Sequence, residues 1–400
     1  MNDAEIASLA AWIVEQGVTG TPFGPALEEA CRRAVAAGLP LARVAILFDT
    51  LHPTFEGRVI NWKAATGEAT GTDYGRTDSG EDADRWLQSP FYRLHESGDS
   101  ELRRRIDAAS AAEFPVIADL LALGMTDYVV MLHRFAPDRI VGAMDGVYLS
   151  WATEALDGFG ERHLAALRRL AAPLALAVKA AALARIAGTL VETYLGRDAG
   201  RRVLEGGINR GVAERIEAVL WFSDLHGYTR ISDTADPEQI IPLLNDYAGA
   251  IVPAIHAAGG DVLKLIGDGI FAIFTGADRG EACRSALGAV AAARAAVDAL
   301  NGVRGAAGLP VTDLYLALHL GEVFYGNIGS ADRLDFTVVG PAVNEAARIA
   351  ALCRSVDQPV LMSSAFAAAV DDPRLVSVGR FALRGVGRAQ DLFTFDPGAG

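Results

Sequence analysis

The chain has 400 residues and a mass of 42.1 kDa, which is more than one hydrophobic core usually organises, so we expect two domains and a connector. Hydrophobic residues make up 51% and charged residues 22%, a balance typical of a globular protein and not of a disordered one. The net charge of -14 supplies no basic field, so we expect neither nucleic acid nor an anionic membrane surface as a partner.

Cysteine usage and the apolar segments predict a cytoplasmic protein. Cys31, Cys283 and Cys353 lack metal-site spacing and are odd in number, which favours reduced thiols over a disulfide framework. The N-terminus carries acidic residues where a secretory signal would carry positive charge. The most apolar stretch, 171–184, is interrupted by Lys179, and we expect it to be too short for membrane insertion.

The first part of the chain alternates between helical and strand-like patterns. The predicted elements are a helix over 22–38, strands over 41–50 and 58–65, a polar loop over 66–84, and strands over 126–135 and 140–153. This order predicts an antiparallel sheet covered by helices at its ends.

The same order resembles the GAF-type sensor modules that precede bacterial signalling enzymes. The resemblance implies a GAF-like α/β sensor domain over 1–158 with a small-molecule ligand. Five aromatic residues are candidates for its pocket, although each is equally well explained as a core or surface residue: Trp62, Trp86, Tyr92, His95 and Trp151.

A helical connector is predicted over 159–213. Apolar residues recur at spacings of three and four, the stripe of a helix that packs against a partner: Leu164, Leu167, Leu170, Leu174 and Val178. This helix is either a parallel dimerisation helix that transmits a signal or an ordinary covering helix of the first domain. Glycines and charges over 194–211 place the domain boundary there.

Two aspartates end strand-like runs in the second half. Asp224 follows the apolar run 218–222, and Asp268 lies in the Gly-Asp-Gly connection between predicted strands over 262–266 and 270–274. Taken singly, Asp268 is explained as a turn residue and Asp224 as a helix N-cap. A carboxylate at the end of a buried strand is costly without a cation, so the pair predicts a site for divalent metals.

A third segment combines a strand, a break and a helix. A short strand is predicted over 337–339, and Gly340-Pro341 ends it before a helix that starts at Ala342. Asn344 and Arg348 are four residues apart and therefore project from one helix face. An amide beside a guanidinium suits a ribose oxygen and a phosphate oxygen.

Five segments together resemble the catalytic domain of class III nucleotidyl cyclases. They occur in the family's order: Phe222–Thr229 (FSDLHGYT), Lys264–Gly269 (KLIGDG), His319–Gly329, Asp335–Arg348 and Leu383–Val386. The resemblance implies an α+β domain over 214–400 with a ferredoxin-like, palm-type fold and an antiparallel-rich sheet.

The resemblance also implies roles for individual residues. Asp224 and Asp268, with the Leu225 carbonyl, match the ligands of two divalent metal ions, Mg²⁺ or Mn²⁺. Lys264 and Asp335 match the pair that reads adenine. The catalytic residues would be Asn344, which orients the ribose, and Arg348, which stabilises the reacting phosphate.

The remaining substrate contacts implied by the resemblance involve phosphates. The amides that would cradle the triphosphate belong to one turn: Leu225, His226, Gly227, Tyr228 and Thr229. Arg384 is a candidate for the terminal phosphates. Glu322 departs from the pattern, because some relatives carry a phosphate-contacting arginine there.

The implied activity is an adenylate cyclase that converts ATP to cyclic AMP and pyrophosphate, regulated by its N-terminal half. In this family the site lies between two catalytic domains, so a head-to-tail homodimer is expected. Two alternatives remain open: a guanylate cyclase, which Lys264 and Asp335 disfavour, and a catalytically silent nucleotide-binding module.

Overall fold

A computed structural model describes residues 1–78, 80–136, 141–142, 144–384, 386–387 and 389–395 of the chain. The chain divides into two compact units, Met1–Leu190 and Val191–Gly400, which are considered separately below. The sequence-based bounds at 158/159 and 213/214 stay a prediction.

The N-terminal unit is built on an antiparallel sheet. Its described strands are β1 (Arg43–Asp49), β2 (Gly57–Lys63), β3 (Ala69–Tyr74), β4 (Glu101–Arg105), β5 (Asp127–Arg134) and β6 (Gly146–Thr153). Their order across the sheet is β3-β2-β1-β6-β5-β4. The helices are α1 (Asp3–Thr19), α2 (Phe23–Ala36), α3 (Gly80–Leu87), α4 (Pro90–Ser97), α5 (Ala108–Glu113), α6 (Pro115–Ala122) and α7 (Glu161–Leu195), of which α7 continues past the unit boundary.

The predicted helix over 22–38 and the predicted antiparallel sheet are confirmed, but the loop over 66–84 is wrong. Strand β3 occupies part of it and pairs with β2, so that Ala69 lies opposite Trp62, and α3 begins at Gly80. The single glycine and the polar residues of β3 mark an exposed edge strand, not a loop.

Ser79 lies outside the described residues, as do parts of the predicted strand 140–153. The GAF-like assignment stays a prediction.

Helix α7 covers one face of this sheet. All five stripe residues of the sequence analysis, Leu164 to Val178, are buried in one core cluster with residues of α1, α2 and the sheet. Since these side chains are already covered within the unit, the covering-helix interpretation is correct for the stripe. The dimerisation role of the segment 159–213 stays a prediction, which would rest on residues other than this stripe.

The C-terminal unit is built on a second, larger sheet. Its described strands are β7 (Ala213–Leu225), β8 (Asp261–Ile266), β9 (Gly269–Phe274), β10 (Leu314–Gly329), β11 (Leu334–Val339), β12 (Val360–Ser363), β13 (Leu375–Phe381) and β14 (Gln390–Phe395). The helices are α8 (Arg197–Leu204), α9 (Tyr228–Thr234), α10 (Pro237–Ala257), α11 (Arg279–Ala306), α12 (Pro341–Val356) and α13 (Ser364–Val370).

The strand order is β13-β14-β12-β10-β7-β9-β8, and β11 pairs with β10. Among the described pairs only β10 and β12 run parallel, so the predicted α+β class with an antiparallel-rich sheet is confirmed. The predicted hairpin is β8–β9, and the predicted strand and helix at 337–339 and Ala342 are β11 and α12.

The two faces of the central strand β7 pack against different helices. Trp221 and Leu225 belong to the core cluster that contains residues of α10 and α11. Ala218 and Leu220 belong to the opposite cluster, which contains Ala342 of α12. Because side chains alternate along a strand, Asp224 is assigned to the α12 face.

Among the residues that the structure describes, three helices are long and apolar enough to cross a membrane, by length and composition alone. They are α7, α10 and α11, whose most apolar windows have mean hydropathies of 1.7, 1.2 and 1.2. The sequence analysis expected the stretch 171–184 to be too short to cross a membrane. This is wrong, because the stretch is part of a 35-residue helix that continues through Pro173 and Lys179. The absence of membrane insertion stays a prediction.

The packing of α7 can be tested by comparing two leucines of the same helix. Leu167 is fully buried, whereas Leu176 is 55% exposed. Leu167→Ala should lower the free energy of unfolding by about 2–5 kcal/mol, because it leaves a cavity in the core. Leu176→Ala should change it by less than about 0.5 kcal/mol. Urea unfolding followed by circular dichroism measures both, and equal losses would contradict the covering role.

Candidate functional site

Asp224 and Asp268 lie together at one end of the central strands. Asp224 is the penultimate residue of β7, and the β8–β9 connection, in which Gly267 has a φ of 62°, presents Asp268 beside it. The Leu225 amide donates a 3.1 Å hydrogen bond to Oδ2 of Asp268. The strand end and the hairpin therefore bring the two predicted metal-binding carboxylates next to one another.

The Asp224 carboxylate is in an unfavourable place for an anion. Burial raises its pKa, and the neighbouring charge of Asp268 raises it further, while Arg354 and His226 lower it. Its Oδ1 atom is buried and has no hydrogen-bond partner among the described residues. A divalent cation would satisfy this oxygen and neutralise the repulsion between the two acids.

The two carboxylates suit a hard cation whose remaining ligands come partly from a bound substrate. Within the described residues, no group of three or more His, Cys, Asp or Glu side chains could hold a metal ion. Two carboxylates leave most positions around Mg²⁺ or Mn²⁺ for backbone carbonyls, water and phosphate oxygens. The residues present therefore fit metals that bind together with a phosphate compound.

The turn after β7 offers free amides beside these acids. Two of the five predicted phosphate-binding amides are occupied, because Leu225 donates to Asp268 and His226 donates to the Asp313 carbonyl at 2.8 Å. The amides of Gly227, Tyr228 and Thr229 have no acceptor among the described residues, and Gly227 holds a φ of 68° that favours glycine.

Lys264 and Asp335 form an ion pair across the sheet. Lys264 lies on β8 and Asp335 on β11, and Nζ donates to Oδ2. Their side chains are 35% and 43% exposed, so both can be reached from solvent. The structure thus brings together two residues that are 71 positions apart in the chain.

Asn344 and Arg348 occupy the outward face of α12. The opposite face is buried against the sheet through Ala346, Ile349 and Cys353. Asn344 is exposed, Arg348 is half-buried, and neither side chain has a hydrogen-bond or ion-pair partner among the described residues. Both are free to bind a ligand.

Helix α12 separates this pair from the aspartates. The Cys353 thiol donates to the Leu316 carbonyl at 3.4 Å, and Leu316 lies opposite Ser223. The C-terminal end of α12 is therefore level with Asp224. Asn344, nine residues earlier, lies about 13 Å further along the helix axis at a rise of 1.5 Å per residue. That distance exceeds the reach of an asparagine side chain.

Two further positions were considered for phosphate contacts, Arg384 and Glu322. Arg384 is exposed and has no partner among the described residues, and its neighbour Leu383 is buried in a cluster with Tyr315, the strand partner of Asp224. Glu322 is ion-paired with Arg215 on β7. The phosphate contact that the family resemblance associates with an arginine at this position is therefore not offered by Glu322.

Arg354 and His226 contribute charge near Asp224 that the sequence analysis missed. The charges of both side chains lower the pKa of Asp224, and the His226 ring lies 4.7 Å from the Tyr315 ring. His226 was predicted only for its amide. The sequence around Arg354 does not indicate that it lies near Asp224, because the end of α12 meets the end of β7 only in the folded unit.

The five candidate pocket aromatics of the N-terminal unit do not converge. Trp62 and Trp151 are buried in the core cluster that contains α7. Trp86, Tyr92 and His95 lie together, with the Trp86 ring 6.0 Å from Tyr92 and 6.3 Å from His95. Of the five candidates, Trp62 and Trp151 are therefore core residues, whereas Trp86 and His95 line a cavity of about 210 Å³.

Comparison with known proteins assigns residues 212–395 to a family. Residues 212–395 match the family model described as the adenylate and guanylate cyclase catalytic domain. An adenylate cyclase of Anabaena cylindrica is 36% identical over 160 residues, which are 39% of this chain and 31% of that protein. Adenylate cyclase 1 of Rhizobium meliloti is 28% identical over 207 residues, which are 50% of this chain and 30% of that protein. The aligned part thus spans about a third of each relative.

Solved structures of cyclases are similar to part of the chain. The guanylyl cyclase Cya2 is 26% identical with a TM-score of 0.41, covering 45% of this chain and 92% of that structure. The adenylyl cyclase CyaB from P. aeruginosa is 23% identical with a TM-score of 0.43, covering 46% and 94%. On the family match, residues 212–395 are a class III adenylate and guanylate cyclase catalytic domain.

The unfavourable position of Asp224 generates a stability prediction. Because the fold raises the pKa of this carboxyl, its ionised form costs stability at neutral pH, and this cost disappears at acid pH where Asp224 is protonated. At pH 7.5 in EDTA, Asp224→Asn should therefore melt at a higher temperature than the wild type. Mn²⁺ should raise the melting temperature of the wild type and not that of the variant.

The matched control is Asp233→Asn, which removes an exposed carboxylate on α9. It should melt like the wild type in EDTA and keep the response to Mn²⁺. A metal response that survives in Asp224→Asn would show that the ions bind elsewhere. Differential scanning fluorimetry measures all three proteins.

Proposed function

We propose that the protein is an adenylate cyclase that converts ATP to 3′,5′-cyclic AMP and pyrophosphate. The observation that carries the proposal is the paired carboxylates Asp224 and Asp268, with the unpartnered Asp224 oxygen, within a catalytic domain of this family. Two divalent cations held there would bind the triphosphate and increase the acidity of the ribose 3′-hydroxyl.

The protein's own groups position and stabilise the substrate. The free amides of Gly227, Tyr228 and Thr229 bind phosphate oxygens as neutral donors. Asn344 orients the ribose, and Arg348 donates to the α-phosphate as negative charge develops during attack of the 3′-oxygen. Arg384 binds the terminal phosphates.

We propose ATP over GTP because of Lys264 and Asp335. A carboxylate can accept from the exocyclic amino group of adenine, and an ammonium can donate to a ring nitrogen. Their mutual ion pair holds both side chains at one place on the sheet. Guanine presents a carbonyl where adenine presents the amino group, so Asp335 would meet an acceptor.

We further propose that two copies of the chain complete the site as a head-to-tail homodimer. One copy cannot supply both sets of groups, since Asn344 lies about 13 Å from the level of Asp224 along α12. A second copy related by a two-fold axis would place its outward Asn344 and Arg348 opposite the aspartates of the first. Two equivalent sites result.

The other sequence-based expectations are part of the same proposal. The catalytic domain works in the cytoplasm, where ATP is the substrate, and the buried free cysteines fit a reducing compartment. The N-terminal unit is a GAF-like sensor that regulates the rate. A silent nucleotide-binding module is disfavoured, because every residue carried over by the resemblance is present.

Base preference can be tested by exchanging the adenine-reading pair. Wild-type protein with Mn²⁺ should produce cyclic AMP from ATP faster than cyclic GMP from GTP. Lys264→Glu combined with Asp335→Cys should raise the rate with GTP relative to ATP by at least tenfold, because the donor and acceptor are changed together. Chromatography of the products measures both rates.

Arg215→Gln is the control, because it removes the partner of Glu322 and lies outside the proposed base site. It should leave the ratio of the two rates unchanged. If the double variant keeps the wild-type ratio, this pair does not read the base. If the wild type forms neither cyclic nucleotide, the proposed activity is wrong.

Site sharing can be tested by mixing two inactive variants. Asp224→Ala removes a metal ligand and Asn344→Ala removes the ribose contact, so each protein alone should lose at least about 99% of the wild-type activity. In a mixed dimer, one of the two sites carries neither change. Activity should therefore return, to about a quarter of the wild-type level for random mixing.

The control mixes Asp224→Ala with Asp268→Ala, which act on the same set of groups. Each site of that mixed dimer lacks one metal ligand, so activity should not return. Absence of recovery in the first mixture, with mixed dimers demonstrated by two affinity tags, would refute the shared site.

A further inference from the structure

The N-terminal unit contains a cavity of about 560 Å³ that the sequence analysis did not anticipate. It lies between the end of α1, the start of α2, strands β1 to β3, and α7. Phe23, Phe48, Ile60 and Val178 supply apolar walls. Its volume is within the range of about 300–1,000 Å³ of small-molecule sites.

The charges at this cavity have one sign. Arg58 and Arg185 are the charged side chains among its described lining residues, and no carboxylate lines it. Both arginines approach the same oxygen of Asp73, at 3.2 and 3.5 Å. Two guanidinium groups thus share one carboxylate, which leaves an uncompensated positive charge.

Both arginines remain available to a ligand. Their side chains are 28% and 38% exposed. The guanidinium of Arg58 lies across Gly71, where a Cβ would come within 2.5 Å of it, so glycine at this position leaves room for the arginine. The ion pair with Asp73 on the same edge strand holds Arg58 at the cavity.

We propose that this cavity binds an apolar molecule that carries one carboxylate. The guanidinium groups of Arg58 and Arg185 hold the carboxylate, a pairing that gives charge-assisted and often bidentate hydrogen bonds. The apolar walls bury the remainder of the molecule. This proposal concerns the N-terminal unit and does not depend on the activity of the C-terminal unit.

The position of the cavity on α7 gives the ligand a route to influence the chain. Seven of its described lining residues lie on α7 between Ala177 and Arg185, and the helix continues to Leu195. Small side chains dominate this wall. A molecule that fills the cavity therefore contacts the helix that connects the two halves of the sequence.

The test is isothermal titration calorimetry on the full chain. Octanoate, 1-octanol and octylammonium have the same chain length and differ in charge. Hexanoate and decanoate are added to vary the length of the carboxylate. At least one carboxylate should bind with one site per chain. Its neutral and cationic counterparts of the same length should bind at least tenfold more weakly.

Two changes to the cavity identify the site. Gly24→Leu places a side chain into open space, since a Cβ at Gly24 meets no atom within 4 Å, and leucine favours the helix more than glycine. The variant should fold as well as the wild type and bind the carboxylate at least tenfold more weakly. Arg58→Gln with Arg185→Gln should weaken the carboxylate at least tenfold and the alcohol less than twofold.

Arg162→Gln is the matched control, because Arg162 is an exposed arginine on the same helix outside the cavity. It should bind the carboxylate like the wild type. The proposal is overturned if none of the three carboxylates binds. It is equally overturned if Gly24→Leu keeps the wild-type affinity, or if octylammonium binds as tightly as octanoate.

Discussion

The repulsion between two acids at one end of a sheet is the constraint on which the C-terminal unit depends. Asp224 is the penultimate residue of a strand that is buried on both faces, and Asp268 is held beside it by the Leu225 amide. Two carboxylates this close repel each other and lower the stability of the fold. Under the proposed function, metal ions and a polyphosphate bound at this site offset that repulsion.

The direction of α12 determines how the rest of the site must be assembled. The buried face of the helix fits against β10, and its C-terminal end meets the end of β7. The outward residue Asn344 therefore lies about 13 Å along the helix axis from the level of Asp224 in its own chain. On the proposal of a site shared between two copies, this packing explains why one copy carries all the groups and a second copy is needed to bring them together.

Local features of the sequence predicted the local structure well. The Gly-Asp-Gly connection specified the β8–β9 hairpin, because such turns depend on few residues. The apolar stripe of α7 predicted a packed face and not the partner that covers it, since periodicity does not reveal what the helix meets. Lys264 and Asp335 could be paired only through the family resemblance, and Arg354 not at all, because these contacts arise from the tertiary fold. Edge strand β3 was missed because its glycine and polar residues also suit a loop.

The most direct test of the account is a crystal structure of the full chain with Mn²⁺ and a non-reactive ATP analogue, recorded at a wavelength where manganese scatters anomalously. The account predicts two anomalous peaks per site, at about 2.1–2.2 Å from oxygens of Asp224 and Asp268 and in contact with the triphosphate. Asn344 and Arg348 of a second copy should lie against the same nucleotide. Manganese bound away from these aspartates, or a nucleotide contacted by one copy alone, would contradict the account.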